Sequence, residues 1–388
     1  MSPNSLKIAI IGGGPGGLAL ARLLHVKNIQ FTVFERDASP SVRSQGGTLD
    51  IHEETGQRTL KEAGLWDTIS QSLRYEGEAM IVVDENNTRV MENLEGGSNR
   101  PELDRQVLRK VLIESIPEGM IRWGTHVKAV TEDGLVQLAS GEEESGFDLI
   151  VGADGTWSKV RPLLSPSVPS YASISGMDVR LPNVDQNHPS LSKLVGPGTF
   201  FALGNNLTMI AQRNGDGSVR TYLWGRRTED WIHTCGINFN DPPAAKASIL
   251  KDYVAWAPEL QPLITASDEI VPRAIYGLPV DHSWVTKPGF TLLGDAAHVM
   301  PPNGEGVNLA LIDALDLAEA VSAYTHSGEI SLTQAVEEFE KKMINRSRRS
   351  AIEGAELLDV MFSTNAAVKF KNMFDGMMAK AGEGPSTQ

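Results

Sequence analysis

The chain has 388 residues, 41% of them hydrophobic and 22% charged, the balance of a globular protein long enough for two or three domains. Its net charge of −14, from 35 basic and 49 acidic residues with no basic stripe, argues against a nucleic-acid partner or an anionic membrane surface. Cys235 is the only cysteine, which excludes an intrachain disulfide and reads as a small buried hydrophobe rather than a catalytic thiol.

The N-terminal apolar stretch from Ile8 to Ile11 is broken by glycines and lacks the length of a signal peptide. No window approaches the roughly 18 apolar residues of a membrane span. The expectation is a cytoplasmic chain. Residues 7–11 read as a buried parallel strand, 18–26 as a helix and 31–34 as a second strand, together a βαβ unit. Residues 79–84 and 88–91 read as a hairpin around Glu85-Asn86-Asn87, and 101–116 as a helix. Three strand-like pieces follow, 125–131, 135–138 and 147–151, separated by Asp133-Gly134 and the stretch 141–146; they predict a β-meander. Strand-like runs such as 219–224 then dominate to about residue 280, with a helix at 244–255, predicting a mixed-sheet second domain. Residues 290–293 return as a buried strand, 307–325 as a long helix, and about 332–380 as helices. Met343, Met361, Met373, Met377 and Met378 on these last helices read as a packing face.

Three motifs carry chemistry. Gly12, Gly14 and Gly17 fit G-x-G-x-x-G between a strand and a helix. The first glycine permits a tight turn, the second a close approach to a pyrophosphate, and the third close helix–strand packing. The helix start offers unpaired N–H groups and a positive dipole to phosphates. Glu35 closes the second strand, eighteen residues after Gly17, where a carboxylate can accept hydrogen bonds from ribose hydroxyls. An acid there favours an unphosphorylated ribose, as in FAD or NAD, and Arg36 beside it blurs that inference. The second motif runs from Asp148 through Asp154-Gly155 to Ser158 and Arg161. The third is Gly294-Asp295-Ala296-Ala297-His298 followed by Pro301-Pro302-Asn303-Gly304-Glu305-Gly306-Val307-Asn308. Asp154-Gly155 alone could be a turn and Asp295 alone a helix cap, but neither reading explains why both follow buried strands in a chain that opens with the glycine loop.

In order and spacing the three motifs resemble those of the class A flavoprotein monooxygenases, the para-hydroxybenzoate hydroxylase-like family, from about residue 6 to 325. Within that family, Ser44-Gln45-Gly46-Gly47-Thr48-Leu49-Asp50-Ile51-His52 and Glu102-Leu103-Asp104-Arg105 are most similar to the tetracycline-inactivating flavin monooxygenases. The resemblance implies an α/β fold: a three-layer Rossmann-like FAD-binding domain with a β-meander (1–75, 95–165 and 285–325), a mixed β-sheet substrate domain (76–94 and 166–284) over the flavin, and bracing C-terminal helices (326–388). It implies that Gly12, Gly14, Gly17 and Glu35 hold the ADP half of FAD, and that Arg105 and Asp50 lie at the cofactor. It places Asp295 at the ribityl–pyrophosphate region and Asp154 and Gly155 at FAD and NAD(P)H. Arg43 is placed with NADPH or NADH near the flavin. The helix starting near Gly306, Val307 and Asn308 would aim its positive end at the flavin's pyrimidine edge. The segment from Pro301 to Asn308 is one residue shorter than the usual family pattern.

The implied function is a monomeric, NAD(P)H-dependent and O2-dependent hydroxylase of a multi-ring phenolic or enolic small molecule, tetracycline being one example, working through a flavin hydroperoxide. The flavin carries the chemistry, so no catalytic side chain and no metal are assigned, and His298 reads as structural. A halogenase would need a W-x-W-x-I-P signature, which Trp224-Gly225-Arg226 does not supply. A flavin-linked dehydrogenase or reductase of the same fold, and a non-catalytic redox-sensing flavoprotein, stay open as alternatives.

Overall fold

The computed structural model describes residues 6–41, 46–95, 97–327 and 330–382. The chain divides into two compact units, Met1–Leu73 with Leu103–Ser170 and Tyr276–Gly354, and Arg74–Glu102 with Tyr171–Ile275 and Ala355–Gln388.

The first unit is built on a five-stranded sheet in the order Phe290–Leu292, Leu149–Gly152, Lys7–Ile11, Gln30–Phe34, Ile121–Arg122. Every pairing in it is parallel. Three neighbouring strands read FTL, LIVG and IAII at their buried positions, continuous apolar runs that require cover on both faces. Helix Pro15–Val26 joins the first two strands and packs along helix Gly306–Ser327. The apolar side chains of sheet and helices merge with Val127, Val130, Val136 and Leu138 in one core.

The predicted meander is corrected in its third strand. Val127–Val130 and Val136–Leu138 pair as expected, but their third partner is Glu143–Glu144, and Leu149–Gly152 joins the parallel sheet instead. All four residues of Leu149–Gly152 are buried, which a half-solvated edge cannot provide, whereas two glutamates suit an edge strand well. The helix expected over 101–116 starts only at Arg105, because Glu102–Asp104 is a short strand and Asp104 is still extended at ψ 132°.

The second unit carries a seven-stranded sheet in the order Glu269–Gly277, Ser170–Leu181, Val219–Arg226, Leu207–Arg213, Thr199–Gly204, Met80–Val83, Arg89–Asn93. It is mixed: Thr199–Gly204 runs parallel to Met80–Val83, and the pairings on either side of that junction are antiparallel. The hairpin forms as expected, with Asn87 at φ +60° and the Asp84 carboxylate accepting from the amides of Asn86 and Thr88. Aromatic and methionine side chains of this sheet fall on opposite faces: Phe200 and Met209 enter one core, while Phe201, Tyr222 and Trp224 belong to the other. Cys235 is half-buried rather than buried. Helix Leu332–Met361 leaves the first unit after Gly354, and helix Ala366–Gly382 belongs to the second. Met343 and Met361 are buried as predicted, but Met377 is exposed.

Candidate functional site

Strand Lys7–Ile11 ends on Gly12, whose amide donates to the Phe34 carbonyl at 2.9 Å. Gly12 has φ +108°, and a Cβ there would lie 2.4 Å from the Ala153 carbonyl oxygen; a Cβ on Gly17 would lie 2.1 Å from that of Gly12. Protein backbone alone therefore demands these two glycines. Gly14 differs, since its Cβ would meet nothing nearer than the Ala153 oxygen at 4.0 Å. Gly14 caps helix Pro15–Val26 without a side chain, Pro15 follows, and the first turn holds no acid. An uncapped helix start beside an open glycine leaves amide N–H groups and space that can take an anionic group.

Glu35 is buried, and its carboxylate accepts from the amides of Gly13 at 2.7 Å and Asp37 at 2.8 Å. It thus ties the end of the second strand to the glycine loop, and a carboxylate with roughly four acceptor positions keeps two for ribose hydroxyls. Arg36 is exposed. Arg109, which lies in none of the motifs, is buried and bonds Asp37 at 3.2 Å and the Pro40 carbonyl at 3.1 Å, bracing the same turn.

The parallel strand Leu149–Gly152 delivers Asp154 next to Gly12. One Asp154 oxygen accepts from the Lys159 amide at 2.6 Å; the other is buried with no partner among the described residues. Burial pushes this carboxyl up, against the pull of Ser158, the Lys159 amide and Arg161. Gly155, at φ +78°, has open space where a side chain would be. Arg161 is buried and bonds the carbonyls of Ala296 at 3.0 Å and Thr156 at 2.6 Å, locking the second motif to the third. In that third motif Asp295 stands exposed at the start of the short helix Asp295–His298. Gly294 before it and Gly16 of the glycine loop both abut Ala310, so the first and third motifs meet.

A second cluster forms around Asp50. His52 is buried, with Nε2 2.6 Å from the Asp50 carboxylate and Nδ1 3.4 Å from that of Glu305. Burial alone would lower the His52 pKa, but the hydrogen bonds and charges of Asp50 and Glu305 outweigh it and raise it from 6.5 to about 9. Asn308, fully buried, donates to the Asp50 carbonyl at 2.9 Å and accepts from the His52 amide at 3.0 Å. Its side chain is thereby committed to backbone, and Gly306 and Val307 open the long helix beside it. Gly46 lies against Arg105, with Cδ 3.3 Å from where a Cβ would be, and the Arg105 amide donates to the Gly47 carbonyl at 3.2 Å. Arg43, with Ser44 and Gln45, lies outside the described residues. The roles of His52 and Glu305 were missed; the alternation Asp50-Ile51-His52 was the available signal, since it sets both polar side chains on one face.

His298 is structural in its contacts: it pairs with Asp313 at 2.6 Å, both being buried, and Asp313 also takes Arg346 at 2.8 Å and the Gly294 amide at 3.1 Å. Burial opposes the charge on each, but mutual attraction wins, holding His298 high and Asp313 low. Among the described residues no helix is long and apolar enough to cross a membrane.

Three comparisons bear on this site. The FAD binding domain family matches residues 5–338. The monooxygenase asqM of Emericella nidulans is 31% identical, over 81% of this chain and 84% of its own. Among solved structures, Klebsiella pneumoniae HpxO complexed with FAD and uric acid is 18% identical with a TM-score of 0.77, over 98% of both chains. Tetracycline destructase Tet(55) is 20% identical with a TM-score of 0.73, over 99% of this chain and 98% of its own. These last two likenesses are of fold.

Proposed function

Because this chain belongs to the FAD binding domain family of class A flavoprotein monooxygenases, we propose that it uses NAD(P)H and O2 to place one oxygen atom on a multi-ring phenolic or enolic small molecule. The observation that carries the reading is the cradle: an uncapped helix start, an open Gly14, and Glu35 and Asp154 with acceptor capacity to spare, all within one unit. These residues fit FAD, which when bound supplies hydride acceptance from NAD(P)H and activation of O2. Glu35 would hold the adenosine ribose, the helix amides the diphosphate, and Asp295 the hydroxyls of the ribityl chain. Main-chain amides at Gly306 and Val307 would stabilise negative charge on the bound ring system. Arg105 and Asp50 would hold the cofactor's other edge, Asp154-Gly155 the cosubstrate side, and Arg43 would orient NAD(P)H. No side chain is assigned as general base. The second unit would bind the substrate.

The name of asqM supports oxygen transfer over simple dehydrogenation. Likeness to a tetracycline destructase supports a fused-ring substrate only through fold, so tetracycline is one member of a test panel. The test supplies NAD(P)H and labelled O2 with tetracycline, polycyclic phenols and single-ring phenols. One labelled oxygen gained by a fused-ring compound is the expected result. Cofactor consumption with peroxide as the sole product would instead establish the reductase reading.

A further inference from the structure

The seven-stranded sheet of the second unit has two unlike faces. Its register sets Ile210, Tyr222 and Asp178 in one row and Thr208, Trp224 and Gly176 in the next. Side chains at the intervening positions, such as Met177, Val179, Met209 and Leu223, fill the core on the reverse face. On the first face, helix Ala366–Gly382 lies over the far strands, with Phe370 against Phe201 at 5.0 Å between ring centres. At the near end stands a different arrangement.

Asp178 is only 5% exposed, yet it is a carboxylate. One oxygen accepts from the Trp224 indole N–H at 3.3 Å and the other from Arg273 Nε at 3.0 Å. Burial pushes the Asp178 carboxyl up, and Arg273, Trp224 and the buried Arg220 offset this. Tyr222 and Trp224 lie with ring centres 5.2 Å apart, and the Tyr222 hydroxyl donates to Gln212 at 3.0 Å. The Arg273 side chain is 51% exposed, and its two Nη nitrogens have no partner among the described residues. A buried carboxylate that steers a half-exposed guanidinium adds little to stability, since desolvation consumes most of the attraction. What the arrangement does achieve is orientation: a fork fixed through Nε on the same carboxylate that holds the Trp224 indole, with its terminal nitrogens left over for a ligand.

We propose that Arg273, aimed by Asp178 beside the Tyr222–Trp224 pair, is the substrate-recognition group of this chain and takes the phenolate or enolate oxygen of a flat conjugated molecule. This rests on the monooxygenase reading and gives it a determinant of specificity. A guanidinium at that oxygen favours its deprotonated form, which is also the more electron-rich partner for oxygen transfer.

The test is equilibrium dialysis of the FAD-loaded protein against alizarin and tetracycline, with the visible absorption of bound alizarin reporting its ionisation. Arg273→Met should weaken binding about tenfold to a hundredfold, the worth of a charge-assisted hydrogen bond, and abolish the ionised spectrum. Arg273→Lys should restore part of the affinity, and FAD content should stay at the wild-type level in both variants. The proposal is overturned if Arg273→Met binds as wild type does, or if the wild-type protein binds neither probe. Arginine-dependent binding without oxygen incorporation would leave this inference standing and remove the monooxygenase reading.

Discussion

At the scale of single residues, the site separates side chains that hold the protein from side chains left over for a ligand. Asn308, Arg109, Arg161 and Asp313 are buried and fully engaged with their own chain. Asp295 is exposed, and no hydrogen bond to its carboxylate is found among the described residues. Asp295→Ala should therefore leave the melting temperature of the FAD-free protein unchanged while weakening FAD binding by about 1.5–3 kcal/mol. Titration of both proteins with FAD measures this, and equal affinities would exclude a cofactor contact. His52 gives a pH prediction with a definite sign. Its folded pKa is raised from 6.5 to about 9, so the stability it contributes is complete below pH 6.5 and fades as pH rises through 9. The shift corresponds to roughly 3 kcal/mol at most. Asp50 and Glu305 are 32% and 28% exposed, and solvent screening reduces this to about 1–2 kcal/mol. In denaturant melts between pH 6.5 and 10, His52→Gln should start less stable than wild type and converge with it at the alkaline end. Curves that stay parallel would show that the histidine is not charged. The positions of Glu35, Asp154 and Asp295 were legible in the sequence because each closes or follows an apolar strand. Glu305 was not, because its meaning depends on a histidine 253 residues earlier in the chain.

Among the elements, legibility followed burial. The first strand–loop–helix–strand unit emerged as expected because its periods are strong and its breakers are glycines at places where only glycine fits. The meander's third strand was misassigned because Leu149–Gly152 and Glu143–Glu144 compete for one role over a few residues, and a strand's partner is a tertiary property that its own sequence does not encode. The glycine loop yields a paired prediction. A Cβ on Gly17 would press on the Gly12 carbonyl at 2.1 Å, so Gly17→Ala should shift backbone and destabilise the FAD-free protein by about 2 kcal/mol or more. Gly14 has extended, unstrained angles and free space, so Gly14→Ala should fold with unchanged stability. Its methyl group would nevertheless occupy the space assigned to the diphosphate, and FAD affinity should fall at least tenfold, about 1.4 kcal/mol. Melting of the FAD-free variants alongside FAD titration separates the two. A Gly14→Ala protein that binds FAD normally would move the diphosphate elsewhere.

For the molecule as a whole, the core clusters among the described residues divide by unit: the one that surrounds the parallel sheet draws on the first unit, and the two on the faces of the mixed sheet draw on the second. The strand-like runs up to about residue 280 pointed to a separate mixed sheet, but the division of helix Leu332–Met361 at Gly354 followed from packing alone. Every described residue assigned to FAD lies in the first unit. A ligand stabilises what it binds by mass action, about 2.7 kcal/mol at a hundredfold excess over Kd. Units with independent cores can open independently, each with its own free energy of opening. Hydrogen exchange measured with and without FAD at that excess should therefore slow about a hundredfold in Lys7–Ile11, Leu149–Gly152 and Phe290–Leu292. The amides of Leu207–Arg213 and Val219–Arg226 should exchange at their FAD-free rates. Equal slowing in both sheets would mean that the two cores open as one. Slowing confined to the mixed sheet would remove FAD from the glycine loop altogether.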